Sequence, residues 1–290
     1  MKPAQFQYFQ SESAAEVFEL LAEHGADARI LAGGQSLVPL MNMRIFSPAV
    51  LIDINRCREL SYLREDDGAI VCGALTRQRE AELSPLVAHR LPLLAEALPH
   101  VGVRANRNFG TVCGSLAHSD PLAELPSVAS ALEARFIIAS ARGRREVGSE
   151  EFFQGALSNC IEPDEMLVEV RLPIPAPGTR SAFLEVANRA HGFAVAGLAA
   201  LIEFDADGRC RRARFAAMGA GETTLRLHAA EAAVEGERPD EACARAAAAA
   251  ASGEVVPSED VHASAAYRAE LIGTLVRRAL AQMRDQPVNS

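Results

Sequence analysis

The sequence predicts an α+β protein of two domains, and three observations carry that expectation. Short apolar runs with strand character alternate with amphipathic helical stretches through the first half of the chain. The proline-rich segment Pro173–Pro177 (PIPAP) then breaks the pattern. Beyond it come three longer strand runs and a helical region rich in alanine. A chain of 290 residues suffices for about two domains with a sizeable core. The expected division is 1–176 and 177–290.

Ser13–His24 reads as an amphipathic helix, with Ala14, Val17, Phe18 and Leu21 at helical spacing and Gly25 at the C-cap. Ala28–Leu31 has strand character, and Leu37–Met43 reads as a helix after a glycine turn. Ala49–Ile54 and Ala69–Ala74 read as short buried strands, with Asp67-Gly68 as a turn before the second. Thr76 is a candidate cap for a helix running through Glu82, and Leu91–Leu98 belongs to another helix. Pro121–Leu132 is expected to be helical and Arg135–Ala139 a strand. Ser149–Gly155 suggests a short helix capped by Ser149, and Met166–Leu172 alternates as a strand.

Ala182–Ala187, Ala194–Phe204 and Arg212–Met218 read as three strands. Asp207-Gly208 between the second and third signals an antiparallel hairpin. From Thr223 onward the chain is expected to be helical, because the alanine run Ala246–Ala251 favours helix strongly. The last helix, Ser264–Met283, is expected to place Tyr267, Leu271, Leu275 and Ala279 on one core or subunit-contact stripe.

Two stretches carry the functional information. Ala28–Arg44 reads ARILAGGQSLVPLMNMR, and its paired glycines, Gly33 and Gly34, allow close approach of the backbone to a bulky group. Gln35 and Ser36 add side-chain donors where the following helix has unpaired N–H groups, an arrangement suited to phosphate. The plainer alternative is a glycine turn with Ser36 as an ordinary N-cap. The second stretch, Arg107–Pro126, reads RNFGTVCGSLAHSDPLAELP and crowds Gly110, Thr111, Gly114 and Ser115 together. Two such loops can face each other across one extended anionic ligand. Neither is G-x-G-x-x-G or ends in G-K-[ST], so the dinucleotide folds built on those patterns are poorly supported.

Composition narrows the alternatives. A hydrophobic content of 49% and a charged content of 23% are those of an ordinary globular protein. The net charge of −9 argues against non-specific nucleic-acid binding, and the basic cluster Arg209–Arg212 is short. No apolar run is long enough to span a bilayer, and the N-terminus lacks the apolar centre of a signal peptide, so a cytoplasmic protein is expected. The 6 cysteines are scattered without a C-x-x-C pair, and the 7 histidines form no H-x-x-x-H pair, so no metal site is expected. His118, Ser119 and Asp120 are adjacent, whereas the members of a catalytic triad converge from separate segments; a polar loop is the better reading. Cys113 reads as a small packed residue, since nothing nearby in sequence lowers its pKa. Asp53, after an apolar strand, is either a ligand group or a turn acceptor.

AGGQS at Ala32–Ser36 and GTVCGSLAHSDPLAELP at Gly110–Pro126 resemble the two flavin-binding loops of the medium subunit of molybdenum hydroxylases, the heterotrimeric enzymes of the carbon monoxide dehydrogenase and xanthine dehydrogenase type. The likeness extends over nearly the whole chain. It implies a two-subdomain FAD-binding domain of the p-cresol methylhydroxylase and vanillyl-alcohol oxidase type. A C-terminal domain with a small antiparallel sheet and a helical bundle would follow. By the same resemblance, Leu31, Ala32, Gly33, Gly34, Gln35, Ser36 and Leu37 would form the first FAD loop, and Thr111, Cys113, Gly114 and Ser115 the second. Val101 would lie near the flavin, Asp120 or Glu124 at the ribose or adenine end, Leu167 against the ring system and Phe193 beside the isoalloxazine.

The chain departs from the family's usual T-I-G-G-N second loop at Cys113 and Ser115, and Cys113 would crowd the pyrophosphate if its backbone needed positive φ. Glu185 stands where many relatives carry lysine, and His191-Gly192 replaces the more usual Gly-Asp. The implied role is electron transfer: electrons arriving from a [2Fe-2S] small subunit, and originally from a molybdopterin-binding large subunit, would leave FAD for an external acceptor. The implied assembly is a dimerised heterotrimer. No catalytic acid–base residue is demanded of this chain. Two alternatives remain: a free-standing FAD-dependent oxidoreductase, and a scaffold subunit that no longer binds flavin.

Overall fold

The computed structural model describes residues 2–189 and 192–286. The chain begins with β1 (Gln7–Gln10), α1 (Ala14–His24), β2 (Ala28–Leu31), α2 (Leu37–Asn42) and β3 (Val50–Asp53). These strands form a parallel sheet in the order β1-β3-β2. Helix α1 starts where Ser13 Oγ accepts from Glu16 N and ends at Gly25, whose φ of 48° suits a residue without Cβ. Val17 and Leu21 on its inner face pack with Ile52 and Ile54.

A second group follows: β4 (Leu63–Asp66), β5 (Ala69–Gly73), α3 (Gln78–Leu83), α4 (Pro85–Arg90), α5 (Pro92–Ala97), α6 (Arg104–Phe109), α7 (Val112–His118) and α8 (Glu124–Ala131). Then come β6 (Arg135–Ser140), β7 (Gly143–Gly148), α9 (Ser149–Phe152), β8 (Phe153–Gly155), β9 (Ser158–Asn159) and β10 (Met166–Pro173). Five of these strands make an antiparallel sheet in the order β4-β5-β10-β6-β7. As its central strand, β10 is buried on both faces through most of its length.

After Pro173 the chain enters β11 (Arg180–Ala187), β12 (Ala194–Phe204), β13 (Cys210–Met218) and β14 (Leu225–Arg226), an antiparallel sheet in that order. The helices α10 (His228–Ala232), α11 (Glu241–Glu254) and α12 (Ala265–Asp285) complete the fold. Gly208, at φ 75°, turns β12 into β13 as the Asp-Gly signal predicts. One face of this sheet packs Ala196, Leu198 and Phe215 against α11 and α12. The other face packs Ala199, Leu201 and Met218 into the core that holds α5 and α8.

Several local expectations are corrected. Thr76 caps nothing: fully buried, it donates to the Tyr62 carbonyl, and Arg77 occupies the N-cap of α3. Ser149 is the first helical residue of α9 and not its cap, and Phe153–Gly155 pairs as a strand. Pro121–Ala123 form a turn held by Asp120, so α8 begins at Glu124. A short strand, β14, precedes the C-terminal helices. In α12 the buried stripe runs through Arg268, Ile272, Leu275, Val276, Ala279 and Met283, which leaves Tyr267 exposed. Strict i+4 steps overshoot a 3.6-residue turn, so a stripe drawn that way drifts around the helix.

Candidate cofactor-binding site

Strand β2 delivers Leu31 to a turn whose backbone meets the segment leading into α7. A Cβ on Gly33 would lie 2.4 Å from the Phe109 carbonyl oxygen and 2.7 Å from Gly110 Cα, so only glycine permits this approach. Gly34 follows at φ 69°, in the left-handed region. Gln35 Nε2 folds back to donate to Gly33 O at 3.0 Å, and its Oε1 accepts from Asn106 Nδ2 of α6 at 2.9 Å. The two glycine loops of the sequence therefore converge.

A polar chain ties them a second time. Asn55 Nδ2 donates to Ala32 O at 2.9 Å, and Asn55 Oδ1 accepts from Arg77 NH2 at 2.6 Å. The other guanidinium nitrogen of Arg77 donates to the Phe109 carbonyl. Asp53 orients Asn55, accepting from its backbone N at 2.8 Å and its Nδ2 at 2.6 Å, while Tyr8 donates to the second carboxylate oxygen. Asp53 is thus a turn acceptor. Burial alone would raise its pKa, but the hydrogen bonds from Tyr8 and Asn55 prevail and lower it.

The backbone N–H groups of Gly33, Gly34, Gln35, Ser36 and Leu37 donate to no protein acceptor among the described residues, although this turn is only half-buried. Ser36 occupies the N-cap position of α2 in an αR conformation, and its hydroxyl makes no capping bond. Consecutive uncommitted N–H groups form a concavity that suits the oxygens of a diphosphate. In the second loop Thr111 Oγ1 caps α7 by accepting from Gly114 N at 2.9 Å, which leaves Gly114 exposed and Ser115 half-buried beside it. Behind the loop, buried Arg107 donates to Val101 O at 3.0 Å and Gly102 O at 2.9 Å and pairs with Glu82 at 2.8 Å.

Residues 4–175 match the family model described as the FAD binding domain in molybdopterin dehydrogenase. Residues 181–283 match the CO dehydrogenase flavoprotein C-terminal domain. The chain belongs to the molybdopterin dehydrogenase flavoproteins. It is 40% identical over 283 residues to subunit alpha of the 6-hydroxypseudooxynicotine dehydrogenase complex of Paenarthrobacter nicotinovorans, covering 97% of this chain and 95% of that one. It is 38% identical over 291 residues to caffeine dehydrogenase subunit beta of Pseudomonas sp. strain CBB1, covering 100% of this chain and 98% of that one. Among solved structures, the carbon monoxide dehydrogenase from Hydrogenophaga pseudoflava lacking the Mo-pyranopterin moiety matches with a TM-score of 0.95 at 38% identity, covering 98% of each chain. The flavoprotein is accordingly an oxidoreductase subunit with an FAD-binding domain followed by the family's C-terminal domain.

The residues present fit an FAD diphosphate: a side-chain-free contact between two loops, with a row of free N–H groups beside it. Not every expected contact reaches that cleft. Cys113 lies in α7 with negative φ, and its Sγ packs 3.5 Å from the carbonyls of Cys72 and Gly73 on β5. Its thiol faces the core and cannot crowd a ligand at the loop surface, and burial pushes its pKa well above the usual thiol range. Leu167 is only 4% exposed within the core around β10, so its side chain is not presented to a cleft. Phe193 stands open at 78% exposure before β12, and its neighbour His191 lies outside the described residues. Ser119 donates to Leu116 O and accepts from Asn159, and Asp120 accepts from Leu122 N, so these residues serve the local turn as a polar loop.

Asp120 and Glu124 sit at the far end of α7, beside a buried acidic seam between α8 and β11. Glu185 of β11 places its Oε2 3.4 Å from His100 Nδ1. That carboxylate holds the imidazole above its ordinary pKa. Burial pushes Glu124 up to about 7, and the nearby Glu185 adds to the rise. Sequence reasoning missed Asn55, Arg77 and Asn106, the residues that hold the loops together. Asp53-Ile54-Asn55, an Asx pair closing an apolar strand, was the one signal that could have found them.

Proposed function

We propose that the flavoprotein is the FAD-carrying electron-transfer subunit of a heterotrimeric molybdenum hydroxylase. In this reading it accepts electrons from a [2Fe-2S] small subunit, supplied in turn by a molybdopterin-binding large subunit, and passes them to an external acceptor. The observation that carries the reading is the backbone contact of Gly33 with Phe109 and Gly110. Bound FAD supplies the redox chemistry, since no side chain of the chain does so by itself. The residues of the chain bind and orient: the N–H groups of Gly33–Leu37 neutralise the diphosphate without lysine, and Thr111–Ser115 close its other side. Val101, Asp120, Glu124 and Phe193 are proposed as the outer contacts, and 176/177 as the domain division.

Proteins named for a nicotine derivative, for caffeine and for carbon monoxide all carry a chain similar to this one over nearly its full length. Such diversity supports a substrate choice made elsewhere in the assembly. The test is titration of the purified chain with FAD, followed by flavin absorbance and fluorescence quenching; stoichiometric binding is expected, and no binding overturns the reading. In the co-purified assembly, substrate should bleach the flavin only while the [2Fe-2S] partner is present. Bleaching of the isolated chain by a small-molecule substrate would instead favour the free-standing oxidoreductase. Cys113, the residue that motivated a flavin-free scaffold, gives that alternative no support, because its side chain points into the core.

A further inference from the structure

Helix α6 is 6 residues long, yet it reaches more than one wall of the cofactor site. The Phe109 carbonyl meets Gly33, and Asn106 Nδ2 donates to Gln35 Oε1 at 2.9 Å. Arg107 turns the other way, to the segment that precedes the helix. Its Nη1 donates to Val101 O at 3.0 Å and to Gly102 O at 2.9 Å. The rest of the guanidinium fork is held by both carboxylate oxygens of Glu82 on α3, at 2.8 and 3.0 Å. These bonds from Arg107 hold the Glu82 carboxyl below the usual carboxylate range. The Arg107 side chain is only 7% exposed, so its charge is committed inside the protein.

The direction in which this guanidinium draws the backbone decides what the turn presents. A trans peptide is planar, with its carbonyl and its N–H on opposite sides, and no cis bond occurs among the described residues. Drawing the Val101 carbonyl inward therefore turns the Gly102 N–H outward. Gly102 stands at φ 48°, in the region that favours glycine, and is half-buried. Its N–H donates to no protein acceptor among the described residues. The next N–H, on Val103, is taken by Asn106 Oδ1 at 3.4 Å. The same Asn106 amide grips Gln35, so the turn adjoins the first loop and its row of free N–H groups.

We infer that Arg107 is a positioning residue of the FAD site: braced by Glu82, it turns the Val101–Gly102 peptide so that the Gly102 N–H extends the donor row of the first loop toward the cofactor. The inference rests on the function proposed above and deepens it. A lysine cannot take this place, because an ammonium lacks the planar fork that holds a carboxylate on one side and two carbonyls on the other. An apolar residue there would leave Glu82 in a nearly buried position with only Arg79 as its partner.

The test titrates FAD into isotope-labelled wild-type and Arg107→Lys chains, following flavin fluorescence, the Gly102 amide resonance and thermal unfolding. Arg226→Lys is the control: that buried arginine is held by both oxygens of Glu231 in the C-terminal domain, away from the two glycine loops. In wild-type the Gly102 amide should shift in step with FAD saturation. Arg107→Lys should weaken FAD binding by about tenfold, the measure of one hydrogen bond, and the Gly102 shift should be lost. Arg226→Lys should lose thermal stability but keep wild-type affinity and the shift. Should Arg107→Lys fail to fold, the double variant Arg107→Met, Glu82→Met removes both charges together and should show the same loss of affinity. The inference is overturned if the wild-type Gly102 amide ignores bound FAD. It is equally overturned if the Arg107 variants bind FAD as tightly as wild-type or no worse than Arg226→Lys. A wild-type chain that takes up no FAD overturns the functional reading itself, so the two failures are distinguishable.

Discussion

Gly33 and Gly110 meet across a backbone contact so close that Gly33 has no room for a side chain. A Cβ on Gly33 would lie 2.7 Å from Gly110 Cα, and one on Gly110 would lie 2.6 Å from Gln78 Oε1. The first loop ends a parallel strand and the second opens α7, so the contact joins two sheets that share no strand. Gln78 N adds a hydrogen bond to Gly110 O at 2.8 Å from the α3 side.

Gly33→Ala should therefore separate the loops. Overpacking of this kind costs about 1–3 kcal/mol, and the displaced N–H groups should lower FAD affinity by tenfold or more. Calorimetric FAD titration alongside urea unfolding checks both effects; unchanged affinity would refute the assigned site.

Arg77→Ala removes the donor to the Phe109 carbonyl and to Asn55 Oδ1. Both bonds lie where water can reach the freed acceptors, so their loss costs about 0.5–1.5 kcal/mol each. Arg77→Lys should recover only part of the loss, because an ammonium cannot reproduce the two-pronged guanidinium geometry. Thermal melts and FAD titration of the two variants decide the ranking.

Cys113→Gly should leave FAD affinity unchanged while lowering stability by about 1–2 kcal/mol, through a lost buried side chain and a glycine within a helix. A rise in FAD affinity on this substitution would mean that the thiol obstructs the site after all, against its burial beneath β5.

Stability should fall between about pH 5 and pH 8 through the seam of Glu124 and His100. Glu124 has its folded pKa raised from 4.5 to about 7 by burial. As pH rises through this window the unfolded chain loses the proton that the folded chain retains, so folding is progressively penalised, by at most about 3 kcal/mol. His100 is also raised, by Glu185, and its stabilising contribution is complete below the ordinary imidazole range and lost as pH climbs past its folded value. His100 is half-exposed, which discounts its share. Glu124→Gln should flatten the urea midpoint across this range, and a midpoint that still falls as steeply would contradict the assignment.

What the sequence by itself determined was local. Ser13 and Gly25 delimit α1, Asp207-Gly208 turns the β12–β13 hairpin, and the paired glycine loops mark two turns, because each signal lies within a few neighbouring residues. The strands β1 (QYFQ), β4 (LRED) and β7 (GRREVG) gave no such signal. They are edge strands with solvent-facing side chains, and only pairing with a distant strand defines them. The same distinction runs through the site. Gly33 and Gly110 were legible as turn residues, yet their contact, its brace of Asn55, Arg77 and Asn106, and the inward turn of Cys113 exist only once remote segments fold together. Side-chain direction and close backbone approach depend on neighbours far away in the chain, and no local pattern encodes them.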